Sequence, residues 1–230
     1  MIKKIMLSVF LLGLSCSSDK IISTEKASFY KIYKDIVIKK PSPSQAKQIE
    51  KEKVYDKVWL SKFNQPIILL SSLDGKNTAT LVALGNFKNK LTWVSADGIS
   101  VSFLNGILIA TRGYSQDLME SQHNGLHNLF SRNMKKLLKR YRYLDGENQY
   151  RELTFTCSVV AKKNTPSLFL DIKLDTTKFI ETCKAGNTSH TNEYFVLPNT
   201  GIVLKSKQWI SEANGSIIIY NYYAFQSNLF

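Results

Sequence analysis

The chain has 230 residues, of which 11% are aromatic and 21% charged, with a formal net charge of +13. That size and aromatic content allow a substantial core in one large domain or two small ones, and they exclude disorder as the dominant state. A basic balance of this kind attracts nucleic acid, anionic lipid or acidic polysaccharide, or simply reflects lysines spread over a solvated face.

Residues 1–15 have the layout of a signal peptide, with Lys3 and Lys4 as a basic start and Ile5 to Leu12 as the apolar stretch. The stretch is too short for a spanning helix, which needs about twenty residues. Leu12-Gly13-Leu14-Ser15-Cys16 resembles the lipobox of bacterial lipoproteins, where the cysteine sulfur is acylated and becomes the first residue. An ordinary secretory signal with an incidental cysteine is the alternative. The basic start, short core and polar Ser17-Ser18 favour lipidation at Cys16. Two or three acyl chains make a stable anchor at about 0.8 kcal/mol per buried CH₂. Ser17 after the cysteine resembles the outer-membrane sorting pattern of enterobacterial lipoproteins. Export argues against nucleic acid as a partner, and no nucleic-acid-binding motif is present.

Residues 16–23 read as a tether, and residues 24–230 as a single domain. Phe29, Ile32, Tyr33 and Ile36 recur at helical spacing, which predicts a helix from Thr24 to Val37. Ser42-Pro43-Ser44-Gln45 resembles a capping box, so a second, polar helix is predicted to about Lys53. From Val54 the period changes to two. Strands are predicted over Val54–Phe63, Ile67–Ser72 and Thr78–Leu84, the last ended by Gly85-Asn86. Residues 91–119 form a three-stranded meander turned at Asp97-Gly98 and Asn105-Gly106, dipeptides that tolerate positive φ. Helical turns are expected around Gln116–Ser121 and Leu126–Lys136.

Leu138–Leu144 and Tyr150–Val160 then read as a long hairpin, followed by strands over Leu168–Leu174 and Lys178–Cys183. After a loop from Lys184 to Asn192 come Glu193–Leu197, Ile202–Ser211 and Ser216–Phe225, the last two joined at Asn214-Gly215. The predicted fold is mainly β: an antiparallel meander forming a barrel-like sheet, with a few N-terminal and central helices.

With Cys16 lipidated, Cys157 and Cys183 remain, an even pair in an oxidising compartment. A bridge would close a loop of about 25 residues and stabilise the fold by roughly 3 kcal/mol; two separate buried thiols are the alternative. His123 and His127 have the i, i+4 spacing of a helical metal pair, but Gly125 lies between them and no glutamate accompanies them, so a surface loop is expected. There is no G-x-S-x-G elbow and no phosphate-cradling loop. Asp97 and Asp145 precede glycines and read as turn residues. No catalytic residue, cofactor or metal site is expected. The basic set Arg132, Lys135, Lys136, Lys139, Arg140 and Arg142, interleaved with Tyr141 and Tyr143, is a candidate surface for acidic polymer or a protein partner. Alternation along an exposed strand produces the same pattern without a ligand. The aromatic run Tyr220-Asn221-Tyr222-Tyr223 reads as core and sheet packing.

Thr92-Trp93-Val94-Ser95-Ala96-Asp97-Gly98, Asn105-Gly106 and Ala110-Thr111-Arg112-Gly113 with Asp117-Leu118 resemble the YjbF/GfcB family of bacterial lipoproteins. Arg142-Tyr143, Gly201 and Ser206-Lys207-Gln208-Trp209-Ile210 continue the match in the family's order. Where the family usually has Leu after the glycine that ends its third meander strand, this chain has Tyr114.

The resemblance implies a periplasm-facing outer-membrane lipoprotein encoded with exopolysaccharide or group 4 capsule genes. Its implied partners are a periplasmic protein and an outer-membrane β-barrel protein of the same cluster. A non-enzymatic accessory role in polysaccharide assembly or secretion follows. A lipocalin-like carrier of an amphiphile or saccharide is the second reading, and a polysaccharide-modifying enzyme the third.

Overall fold

The computed structural model describes residues 60–87, 90–123, 129–130, 136–144, 149–170 and 172–226. All belong to the second of the two units into which the chain divides, Ser42–Phe230. Cys16, the expected signal segment, the tether and both N-terminal helices lie outside the described residues, as do His127, Arg132 and Lys135.

The described chain is almost entirely strand: β1 (Ile67–Ser71), β2 (Thr78–Phe87), β3 (Lys90–Ser95), β4 (Ser100–Leu104), β5 (Ile107–Arg112) and β6 (Leu118–His123). The second half supplies β7 (Leu137–Leu144), β8 (Tyr150–Phe169), β9 (Ile172–Ala185), β10 (Thr188–Val196), β11 (Val203–Ser211) and β12 (Gly215–Tyr220), then a one-turn helix α1 (Tyr223–Gln226). They form one twelve-stranded sheet in the order β5-β4-β3-β2-β1-β12-β11-β10-β9-β8-β7-β6. Every neighbour is consecutive in the chain except β1 and β12, which pair antiparallel through Leu69↔Tyr220 and Leu70↔Ile219. An all-antiparallel ring needs an even number of strands, and the two edges, β5 and β6, are themselves consecutive. The sheet is therefore a nearly closed, barrel-shaped meander whose only break lies between β5 and β6.

At that break side chains replace the missing ladder. Asp117 in the connecting turn accepts hydrogen bonds from Thr111 Oγ1 (2.8 Å), the Gly113 amide (2.9 Å) and the Tyr114 amide (3.1 Å). Thr111 Oγ1 in turn accepts from the Leu118 amide at 2.9 Å, and Arg112 Nη1 reaches Leu118 O at 3.3 Å. The Thr111-Arg112-Gly113…Asp117-Leu118 motif is thus the clasp of the barrel.

A second motif bridges opposite walls. β5 and β11 stand six places apart in the ring by either route, yet Gln208 on β11 accepts from the Leu108 amide at 2.7 Å and donates to Gly106 O at 2.8 Å. Its amide also donates to Ser206 Oγ at 2.9 Å. Gly106 (φ 79°) packs so closely on Val203 that an added Cβ would stand 2.6 Å from Cγ2. The barrel is flattened here, and Gln208 is the strut across it.

The two ends differ. At one, the β5–β6 and β11–β12 turns are tied by Ser115 Oγ donating to Asn214 Oδ1 (2.7 Å) and Asn214 Nδ2 donating to Gln116 O (2.8 Å). At the other lie the Asn105-Gly106 turn, the β10–β11 loop and α1, and this end holds a cavity.

Several expectations need correction. Leu60 to Phe63 is a turn, with the Phe63 amide donating to Leu60 O, and not the end of a strand. Gly85 marks a bulge at which β2 continues to Phe87. Residues 118–123 form strand β6 and not helical turns, because the run supplies the barrel's last edge and pairs with β7 through Ser121↔Tyr141. β8 and β9 make one long hairpin turned at Leu170 (φ 50°), with a register irregularity between Lys162 and Thr165. The expected loop 184–192 is a tight turn at Gly186 (φ 57°) feeding β10.

Candidate functional site

Alternation decides which side chains fill the barrel. On β7, Leu137, Lys139, Tyr141 and Tyr143 are buried, while Leu138, Arg140 and Leu144 are exposed. Lys139 therefore leaves the basic surface set, and its ammonium is fully buried. It donates to Glu181 Oε2 at 2.6 Å, and the same oxygen accepts from Asn192 Nδ2 (2.8 Å) and Tyr194 OH (3.1 Å). Asn192 Oδ1 takes the Trp209 amide at 2.8 Å, and Tyr143 OH donates to Ile210 O at 2.8 Å. Burial lowers the Lys139 pKa, with Glu181 opposing the shift. Burial and then the Tyr141 and Glu181 charges respectively raise the Tyr143 and Tyr194 phenols.

His190 stacks on Trp209 with ring centroids 4.3 Å apart and meets Phe155 edge-on at 4.8 Å. Neither of its ring nitrogens has a partner, nor does Glu181 Oε1. Burial, followed by the Lys139 charge, brings the His190 pKa down to about 4. His123 is not on a surface loop: it is on β6, against Ser121 Oγ at 2.8 Å, and burial brings it down to about 2. Cys157 and Cys183 face each other across β8 and β9 with their sulfurs bonded at 2.01 Å. Glu181 lies within 4.8 Å of both sulfurs, but sulfurs bonded to each other offer no thiolate to a metal. These described side chains form a packed, buried knot around the Lys139–Glu181 pair.

Of the rest of the basic set, the described Lys136, Arg140 and Arg142 lie outside. Arg140 pairs with Glu152 at 3.0 Å, and Arg142 with Glu152 at 2.9 Å and Glu120 at 3.1 Å. Lys136 is exposed. The arginines expected to fork an acidic sugar are thus already engaged by carboxylates on the neighbouring strands. A concavity of about 1090 Å³ beside them, along the β5–β6 break, is walled partly by the exposed Leu84, Leu144 and Tyr150.

The cavity at the open end has a volume of about 730 Å³, within the roughly 300–1,000 Å³ of small-ligand sites. Trp93, Phe103, Phe130 and Tyr223 supply aromatic surface, and Ile68, Leu91 and Ile219 the aliphatic wall. Asn86, Asn105, Asn221, Thr200 and Ser206 supply amides and hydroxyls. Trp93 and Tyr223 meet edge to face at 5.9 Å. Asn221 is fixed by its amide donating to Leu204 O (2.8 Å) and Nδ2 donating to Val203 O (2.9 Å), while its buried Oδ1 has no partner. The only ionisable side chain in this described wall is the Tyr223 phenol. Such a wall can stack on a ring and hydrogen-bond to it, but it carries no carboxylate, imidazole, amine or thiol to move a proton or attack a bond.

Sequence reasoning did not identify this site. The aromatic run near the C-terminus reads as packing, which holds for Tyr220 and Tyr222, both against Phe169. Asn221 and Tyr223 instead turn into the cavity. Alternation in the meander places Trp93 inward, but nothing in a one-dimensional pattern shows that a cavity lies beside it.

No curated protein matches the chain. Among solved structures, that of the hypothetical lipoprotein YmcC from Escherichia coli K12 is similar, with a TM-score of 0.64 at 14% identity, over 89% of this chain and 96% of that one. At that identity the likeness concerns the fold. A family profile described as group 4 capsule polysaccharide lipoprotein gfcB, YjbF, matches residues 31–220. With that match spanning most of the sequence, the chain belongs to the YjbF family of capsule polysaccharide lipoproteins.

Proposed function

We propose that the protein is a non-enzymatic accessory factor in assembly or secretion of a capsular or extracellular polysaccharide. It is held at the outer membrane by acyl chains on Cys16 and faces the periplasm. The observation behind the non-enzymatic part is the wall of the open-end cavity, whose described residues combine ring surface, amides and the hydroxyls of Thr200 and Ser206 with one phenol as their ionisable group. Deeper in the barrel, Lys139 and Glu181 are engaged with each other, and Glu181 also with Asn192. Family membership supports the process, and the partners are an outer-membrane β-barrel protein and a periplasmic protein of the same machinery. A strain lacking the protein should export less polymer, and a Cys16→Ala strain should reproduce the defect with the protein released from the membrane. Unchanged polymer export in the deletion strain, together with no envelope partner captured by crosslinking, would overturn the proposal.

A carrier role is the second reading, and the cavity volume favours it over a solid interior. The basic set offers a further contact for acidic polymer or protein, through the exposed Lys136. Arg140 and Arg142 would first have to leave Glu152 and Glu120.

A further inference from the structure

We infer that the outer face of β9–β12, with the adjoining part of β8, binds a segment of acidic polysaccharide along a row of interleaved lysines and aromatic rings. The inference rests on the polysaccharide role proposed above, and it adds the charge of the polymer and the residues that hold it.

Strand register builds the row. Lys162 on β8 stands opposite Lys178 on β9, and Lys178 opposite Phe195 on β10. Phe195 in turn stands opposite Lys205 on β11, and Lys205 opposite Tyr220 on β12. The adjacent Phe179, Tyr194, Ser206 and Ile219 are buried in the barrel, so alternation turns the row outward. Lys162 is exposed there and the other four are half-buried. Five strands at about 4.8 Å spacing make the row about 19 Å long. Within it, Lys178 Nζ lies 5.2 Å from the centre of the Phe195 ring. Lys205 Nζ lies 5.9 Å from Phe195 and 5.0 Å from Tyr220. Beside the row Lys207 stands opposite Glu193, whose carboxylate takes Lys178 at 2.9 Å, with 22% of the Lys178 side chain and 30% of that of Glu193 open to solvent.

Charge and surface together indicate the ligand. Among these described side chains, four lysines stand with one carboxylate. Lys162 and Lys178 face each other directly, a like-charge pairing that weakens a sheet. An anionic chain laid across the strands relieves that repulsion. The rings hold the ammonium groups of Lys178 and Lys205 in set positions, so fewer side-chain rotamers are lost when an anion arrives. They also separate a sugar from a lipid surface. A pyranose brings C–H groups to set against Phe195 or Tyr220, and a uronic acid adds a carboxylate for the ammonium beside the ring. A phospholipid headgroup uses the lysines but not the rings between them.

The test uses the full lipidated chain in phosphatidylcholine nanodiscs, with calorimetric titration of sugars and co-sedimentation with vesicles. The probes are a galacturonate hexamer, maltohexaose as its neutral counterpart, and phosphatidylglycerol vesicles as the anionic lipid surface. The hexamer should bind, and maltohexaose at least about tenfold more weakly. Lys205→Gln and Phe195→Leu should each weaken the hexamer about tenfold, equivalent to about 1.4 kcal/mol. Lys90→Gln, at an exposed lysine outside the row, should leave it unchanged. Lys162→Gln should weaken the hexamer while raising the melting temperature, because it removes the like-charge pair; a purely structural row does not give that combination. Both lysine changes in the row lie on the outer face and keep the test open if Phe195→Leu fails to fold. The inference is overturned if the hexamer does not bind, if maltohexaose binds equally well, or if Lys90→Gln weakens the hexamer as much as Lys205→Gln does. It is equally overturned if vesicles bind as tightly as the hexamer and Phe195→Leu changes neither, which would mark a lipid surface. Any of these leaves the accessory role standing, since that role is judged by polymer export in the deletion strain.

Discussion

Replacing Lys139 by methionine keeps the length of the side chain and removes its charge from a site where it is 1% exposed. The Glu181 carboxylate would keep Asn192 and Tyr194 as donors but lose its only counter-charge, at 2.6 Å. Breaking one side of a buried pair costs about 3–5 kcal/mol, whereas removing both charges together is close to neutral. Lys139→Met should therefore lower the melting temperature by roughly 6–20 °C in a protein of this size. Lys139→Met with Glu181→Gln should recover most of that, because the glutamine oxygen still serves Asn192 and Tyr194. Urea unfolding followed by tryptophan fluorescence gives the full cycle, and a coupling of at least about 2 kcal/mol is expected.

A single variant costing less than about 1 kcal/mol, or a double variant no better than the single, would refute the idea that burial makes these charges interdependent.

His190, with a folded pKa of about 4, binds its proton more readily when unfolded. Stability should fall as pH drops from about 6.5 toward 4, by on the order of 3 kcal/mol at the limit, and His190→Phe should flatten that part of the stability profile in urea titrations at pH 7 and pH 5. Asp117→Ala removes the acceptor for Thr111, Gly113 and Tyr114 and should cost about 2–3 kcal/mol, with amide exchange accelerated first in β5 and β6; uniform exchange across the sheet would contradict its role as a clasp. Breaking the Cys157–Cys183 bond by the double alanine change should cost roughly 3 kcal/mol, read as a lower urea midpoint, and an unchanged midpoint would contradict it.

Most of the barrel was legible because period-two burial is written residue by residue. Leu137 to Leu144 alternates in and out without a break, and the Asn105-Gly106 and Asn214-Gly215 turns sit where their positive φ angles require them. β6 was missed because Leu118 to His123 alternates weakly: an edge strand next to a gap has Met119 and Glu120 half-covered and no strong apolar face. The long β8–β9 hairpin was cut short by Asn164 and Pro166, residues that usually end strands but here sit at a register irregularity. Lys139 was placed outside because lysine is rarely buried. Its partner Glu181 is 42 positions later, a separation no local pattern reports.

Several of the residues that carry the family resemblance gather into two constructions. Thr111, Arg112, Gly113 and Asp117 close the ring where its backbone ladder stops. Asn105, Gly106, Ser206 and Gln208 form the strut across the ring, and all but Gln208 also stand in the cavity wall. A strut that shares residues with the cavity wall does more than stabilise: it sets how far apart the two walls stand beside the cavity. Gly106 shows the constraint most directly, because its contact with Val203 leaves no room for a methyl group and brings the opposite walls together beside the mouth. In this barrel the shape of the cavity mouth and the stability of the fold are coupled through the same few hydrogen bonds.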